Sequence, residues 1–208
     1  MFGDSIDPLV KVIIIACFFV NAFIAKDGTA LGRRDQIILI IAMGLTLIAD
    51  IFMVLLHMNV FGLLFFCMVQ TAHNYRYTGL ARVKIQVAVG AVAFVIATVA
   101  GAPLVIALGA AYAFFLFFSV TGSFMAYNKY PTPNNMMIVL GMLLFMGCDI
   151  FVGLQNLEIE ALSSPGSREF IQRAIWLCYF PSQVLLSSSA RKNKNYRDED
   201  NMRRANKR

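Results

Sequence analysis

The chain is a succession of long apolar runs cut by short polar punctuation. The runs cover about 8–25, 36–56, 59–76, 83–100, 103–127, 133–153 and 169–189. Each is close to the roughly 20 residues a helix needs to cross the hydrocarbon of a bilayer. "KDGTALGRRD" divides the first pair, "HMN" the second, "GAP" the fourth and fifth, and "NKYPTP" the fifth and sixth. The longest connection, "QNLEIEALSSPGS", is polar and acidic. No run alternates with a period of two, and an apolar strand in lipid would leave its backbone groups unpaired, so the runs predict helices. "AVGAVA" in the fourth and "ALGAAYA" in the fifth suit close helix contact. The expected fold is all-α: a polytopic bundle of seven transmembrane helices over 1–190, then a basic tail over 191–208.

Composition agrees. The 208 residues are 59% hydrophobic and 14% charged, where soluble domains carry about a quarter charged. Mean hydropathy is +0.68, and nothing remains for a separate soluble domain. Much of the positive charge sits in "RKNKNYRDEDNMRRANKR", which has no aliphatic cluster to form a core. It reads as a disordered cytoplasmic tail touching anionic lipid, and no nucleic-acid partner is expected. Lys26, Arg33, Arg34, Arg76, Arg82, Lys84 and Lys129 fall on the same side as this tail. Arg168 and Arg173 fall on the other, offset by Glu158, Glu160 and Glu169. The positive-inside rule then puts the N-terminus outside and the C-terminus inside. Short loops favour a bacterial inner membrane. The acidic start differs from the basic start of a signal peptide, so the first run is expected to be retained as a span. Cys17, Cys67, Cys148 and Cys178 lie in apolar runs without a CxxC or Cys/His cluster, so neither a disulfide framework nor a zinc site is expected.

Charge inside the runs changes the picture. Asp50 lies in "GLTLIADIFMVLL" and Asp149 in "GMLLFMGCDIFVGL". A carboxylate at membrane depth costs about 2.5–3.5 kcal/mol on insertion scales and normally faces a polar interior. Both acids precede the outer end of their span by a similar distance, which places them at one level, roughly 10 Å below the outer surface. A polar packing contact, or an acid paired with a lysine, would explain either one structurally. Two acids at one depth point to function.

Tyr179 and Gln183 lie one turn apart on the last span, with Pro181 between them to bend it and free carbonyls. Interhelical hydrogen bonding is their structural explanation. Lys11 is placed to snorkel outward or to pair with an acid. His73 sits deeper, toward the inner side, with Asn74 and Tyr75 beside it as interfacial anchors, and Tyr112 is a further lining group. His57 and Asn59 belong to the outer turn. Two carboxyls in a dry pocket can share one proton near neutral pH. That suits a reaction with an oxocarbenium-like transition state and equally suits proton-coupled transport. Periodicity and charge do not choose between these, nor exclude a non-catalytic lipid-binding protein.

The motifs resemble the YhhN family of lysoplasmalogenase-like multi-pass membrane proteins, from the first span to the last. The family's Gly-Asp and its G-L-x-x-F-x-x-x-A-H-x-x-Y helix are matched by "IAD" at 48–50 and by "GLLFFCMVQTAHNY", Gly62 to Tyr75. Its Ser-Asp helix is matched by "GMLLFMGCD", Gly141 to Asp149, and its Y-x-x-A-Q-x-L helix by "YFPSQVLL" from Tyr179. Lys11 matches an early lysine. Ala49, Cys148 and Ser182 stand where glycine, serine and alanine are usual, and eight spans are drawn for the family against seven here. The resemblance implies hydrolysis of the vinyl ether of a lysoplasmalogen to a fatty aldehyde and a glycerophospho-ethanolamine or -choline. It makes Asp50 and Asp149 the acid-base pair and gives water or head-group positioning to His73, Tyr179 and Gln183, and phosphate contact to Lys11. It implies a lysophospholipid, membrane lipids and water as partners, and no metal or organic cofactor.

Overall fold

The computed structural model describes residues 7–24, 32–156 and 164–191. Among these, seven helices follow in order: α1 (Pro8–Ile24), α2 (Arg33–Asp50), α3 (Asn59–Thr78), α4 (Leu80–Val99), α5 (Leu104–Lys129), α6 (Pro133–Asn156) and α7 (Pro165–Ser188). The fold is an all-α bundle, and each helix falls on one of the seven apolar runs. Four helical segments are long and apolar enough to cross a membrane by length and composition: 33–55, α4, α5 and α6. The helix α1 is apolar but shorter. The basic tail from 192 onward lies outside the described residues.

Packing arranges six helices in a closed ring. The chief contacts run α1 to α2, α2 to α3, α3 to α5, α5 to α6, α6 to α7, and α7 back to α1. The helix α4 lies outside this ring, against α5 and α3. Its outward side chains include Val92, Val95, Ile96 and Val99, all exposed, as suits a lipid-facing helix. Gly90 provides its close approach to α5, because a Cβ there would fall on the Phe115 ring.

Inside the ring lies the larger hydrophobic core, drawn from Ile15, Phe66, Met142, Phe145, Ile175 and their neighbours, and a second, smaller cluster joins Ala22, Leu39, Met43 and Ala190. Phe145 and Met142 are fully buried. Local sequence sets the joints. Gly79 alone separates α3 from α4 at φ +84°, a left-handed conformation that side chains rarely adopt. After Asp50 the helix widens to a π-turn over Ile51–Leu55, closed by the Leu56 amide donating to the Ile51 carbonyl at 3.1 Å. Such single π-turns recur beside functional residues because they re-aim the side chains around them.

Polar clasps hold one end of the bundle. The Arg76 guanidinium donates two hydrogen bonds to Asp35, at 2.7 and 2.8 Å, joining α3 to α2. The Arg76 side chain has no exposed surface. Asn74, expected at the interface, is instead fully buried, donating to Gln86 Oε1 at 3.0 Å. Gln86 in turn donates to the Phe115 carbonyl at 3.0 Å, so these amides fasten α4 to α3 and α5. Tyr75 does lie at the helix end, where its hydroxyl accepts from Arg34. Asn21 donates to Ser187 Oγ at 3.0 Å and accepts from Arg191 at 2.5 Å, tying α1 to the end of α7.

Removing one partner of a buried pair strands the other charge. Asp35→Ala is expected to lower unfolding stability in detergent by about 3–5 kcal/mol. Glu169→Ala, which breaks the exposed pair with Arg173, should cost less than about 1 kcal/mol. Equal losses in denaturant titrations of the two variants would contradict this assignment.

Candidate active site

Two carboxyl–tyrosine pairs occupy the ring interior. Asp50, at the end of α2, is 6% exposed, and the Tyr179 hydroxyl of α7 donates to its Oδ2 at 2.5 Å. Asp149, on α6, is half-buried, and the Tyr112 hydroxyl of α5 donates to its Oδ2 at 2.5 Å. The geometry thus joins each acid to a neighbouring helix. The two carboxyls lie within electrostatic reach of each other, with Cys148 close to both.

An aromatic frame connects the pairs. Phe145 meets Tyr179 edge-on at 5.8 Å between centroids and Phe66 at 6.1 Å. Phe66 meets Tyr112 at 6.2 Å. Aromatic edges and faces attract at these separations, and rigid rings hold the two hydroxyls at fixed positions. Gln70 of α3 supports Tyr112, its amide donating to the hydroxyl at 3.4 Å.

Several polar groups nearby have no hydrogen-bond partner among the described residues. They are both amide atoms of Gln183, the Ser182 hydroxyl, Gln70 Oε1 and the indole N–H of Trp176. Gln183 lies one turn beyond Tyr179. A buried amide left unpaired costs about 1–3 kcal/mol per group, so native proteins fill such places with water or ligand. A cavity of about 360 Å³ lies farther out, between α6 and α7, lined by Phe151, Leu154, Gly166, Ser167, Phe170 and Ile171. Ile171, Ile175 and Tyr179 follow at four-residue steps on one face of α7, so this face runs from the cavity down to Asp50.

The remaining candidates fall elsewhere. His73 is buried, its Nδ1 3.0 Å from the Tyr77 hydroxyl, with the two rings stacked. Gly62 marks the level of Asp50 on α3, since a Cβ there would lie 3.2 Å from the Ala49 carbonyl. His73 lies farther along α3, one turn beyond Gln70, whose amide meets the Tyr112 hydroxyl beside Asp149. Its own ring is taken up by Tyr77, next to the Arg76–Asp35 pair. Lys11 is 7% exposed and pairs with neither acid; its Nζ lies 4.4 Å from the Trp176 ring centroid. Trp176, Gln70 and Ser182 were not singled out as site residues by sequence reasoning; apolar runs hide them, and only the packed helices put them here. Among the described residues no three of His, Cys, Asp and Glu gather as a metal site would require.

The YhhN family profile matches residues 6–190. The chain belongs to the YhhN family. Neither a curated protein nor a solved structure matches it. The matched span takes in all seven helices and both acid–tyrosine pairs of this YhhN-family chain.

Replacing an unpartnered amide by a similar apolar side chain is neutral or stabilising. Gln183→Leu should therefore keep or raise the unfolding temperature of the purified protein by differential scanning fluorimetry. A clear drop would mean that the amide has a structural partner.

Proposed function

We propose that this YhhN-family protein is a membrane-embedded hydrolase that cleaves the vinyl ether of a lysoplasmalogen. The products are a fatty aldehyde and a glycerophospho-ethanolamine or -choline. The observation that carries this reading is the pair of carboxyls, Asp50 buried and Asp149 half-buried, each held by one tyrosine hydroxyl within a single helical ring. Family membership is consistent with it.

A vinyl ether is cleaved by placing a proton on its β-carbon. The ether oxygen then shares the positive charge as an oxocarbenium ion, water adds to the cationic carbon, and the hemiacetal collapses to aldehyde and alcohol. One carboxyl supplies the proton as general acid. The other stays ionised, stabilises the cation and takes a proton from the attacking water. Each tyrosine occupies only Oδ2 of its acid, so the other oxygen is left to face substrate. Gln183 and Ser182 offer donors and acceptors for the water. The 360 Å³ cavity and the Ile171–Ile175 face supply an apolar access route for the alkenyl chain from the bilayer.

All seven helices cross a cell membrane in this reading, with the start of α1 outside. Arg34, Arg76 and Arg82 share one end of the bundle through contacts to Tyr75, Asp35 and Thr121, which supports placing that end inside. The helices α3 and α7 then owe their lower hydropathy to the polar side chains they turn inward.

Purified protein incubated with lysoplasmenylethanolamine should release fatty aldehyde. Asp50→Asn and Asp149→Asn should each lower the rate by at least about a hundredfold while the protein still folds. Full turnover in either variant removes that acid from the mechanism. Tyr179→Phe and Tyr112→Phe should give smaller losses, on the order of tenfold, because they loosen a carboxyl without removing it.

A further inference from the structure

Lys11 stands out among the charged groups of the bundle. Its side chain is buried in the first turn of α1, and among the described residues no carboxylate lies within ion-pair distance. A buried cation without a counter-charge is costly, and a single aromatic face offsets only part of that cost. The face belongs to Trp176, whose own indole N–H is buried with no acceptor. An ammonium has three donors and no acceptor, and an indole has one donor and no acceptor. Two donor-only groups side by side, the indole N–H buried without an acceptor and the ammonium without a carboxylate partner among the described residues, describe the lining of an anion site.

Its place in the bundle identifies the anion. Trp176 packs edge-on against Tyr179 at 5.8 Å, and Tyr179 holds Asp50. Trp176 precedes Tyr179 by three residues on α7, and Lys11 opens α1, so both lie toward the outer end of the ring. In a lysophospholipid the phosphate is joined to the vinyl-ether oxygen through the three-carbon glycerol unit. A substrate with its double bond at the acids and its head group toward the surface carries its phosphate outward from Tyr179.

We propose that Lys11 and Trp176 form the phosphate-binding site of this protein, selecting lipids that carry a phosphodiester head group over neutral glycerol ethers. The inference rests on the lysophospholipid reading of the acid pair, yet its test needs no hydrolysis. Lys11 supplies the charge as a point cation. Trp176 supplies a directed hydrogen bond and shields the ammonium from lipid.

Trp176 is the only tryptophan of the chain, so its fluorescence reports on this site alone. The probes are an alkyl-ether lysophosphocholine, which has no vinyl ether to cleave, and the matching alkylglycerol without phosphate, each titrated into the detergent-solubilised protein. The phosphate-bearing lipid should change the emission saturably and the alkylglycerol should not. Lys11→Gln should weaken the apparent affinity by at least about tenfold, the scale of a lost charge-assisted hydrogen bond, and Lys11→Arg should largely preserve it. Equal responses to the two lipids, or an unchanged affinity in a folded Lys11→Gln protein, would overturn the proposal. The two-lipid comparison on the unaltered protein decides the matter even where a variant does not fold. Selective binding without aldehyde release would refute the hydrolase and leave the phosphate site standing; aldehyde release without phosphate selectivity would do the reverse.

Discussion

A carboxyl group cannot be buried among apolar helices without a donor, and here two of them each find a tyrosine. The bonds Tyr179–Asp50 and Tyr112–Asp149 link α7 to α2 and α5 to α6. These four helices all belong to the closed ring. The constraint works in both directions. The ring brings distant parts of the chain together so that the acids can be satisfied, and the acids make any other pairing of those helices expensive.

The division of labour among the helices follows from this. The helix α4 stands outside the ring and contributes mainly apolar surface toward lipid, with Gln86 as its polar anchor. The helix α7 does the opposite. It carries Trp176, Tyr179, Ser182 and Gln183 on the inward side, and its Pro181 has no amide hydrogen to give, so one carbonyl in the preceding turn is left without its usual partner. One end of the bundle is held by the Arg76–Asp35 pair and by buried amides. Buried polar atoms with no partner among the described residues occur at both ends: Gln36 Nε2, Arg76 Nη1 and Arg82 Nε at this one, and Gln183, Ser182 and Trp176 toward the acids.

Much of the fold is legible in the residues themselves. Apolar runs of near-span length, broken by Gly, Pro and charge, place every helix to within a few residues, because lipid permits few alternatives to a helix. Counting along the two runs singles out Asp50 and Asp149 as acids inside apolar helices, and each does meet a tyrosine of another helix. What counting cannot supply is which partner each acid takes. Tyr179 lies 129 positions from Asp50, and only the packing of α7 against the ring's other members decides between it and Tyr112. Asn74 shows the same limit, since a helix-end asparagine suits an interface equally well until Gln86 is found opposite it. His73 lies one turn beyond Gln70 yet partners Tyr77, and a motif written in one dimension does not reveal which of these polar groups meets Tyr112. Lys11 is visible as a misplaced charge, whereas the indole beneath it is not. The π-turn after Asp50 carries no sequence signature at all, because Ile51–Leu55 reads as ordinary apolar helix.

The central claim is that the acid pair delivers a proton to carbon. Running the reaction in heavy water and analysing the aldehyde by mass spectrometry tests it most directly, with authentic aldehyde incubated alongside to correct for exchange. Direct protonation of the vinyl ether installs one deuterium beside the carbonyl in each product molecule. Aldehyde that forms with ordinary hydrogen at that carbon would contradict the account.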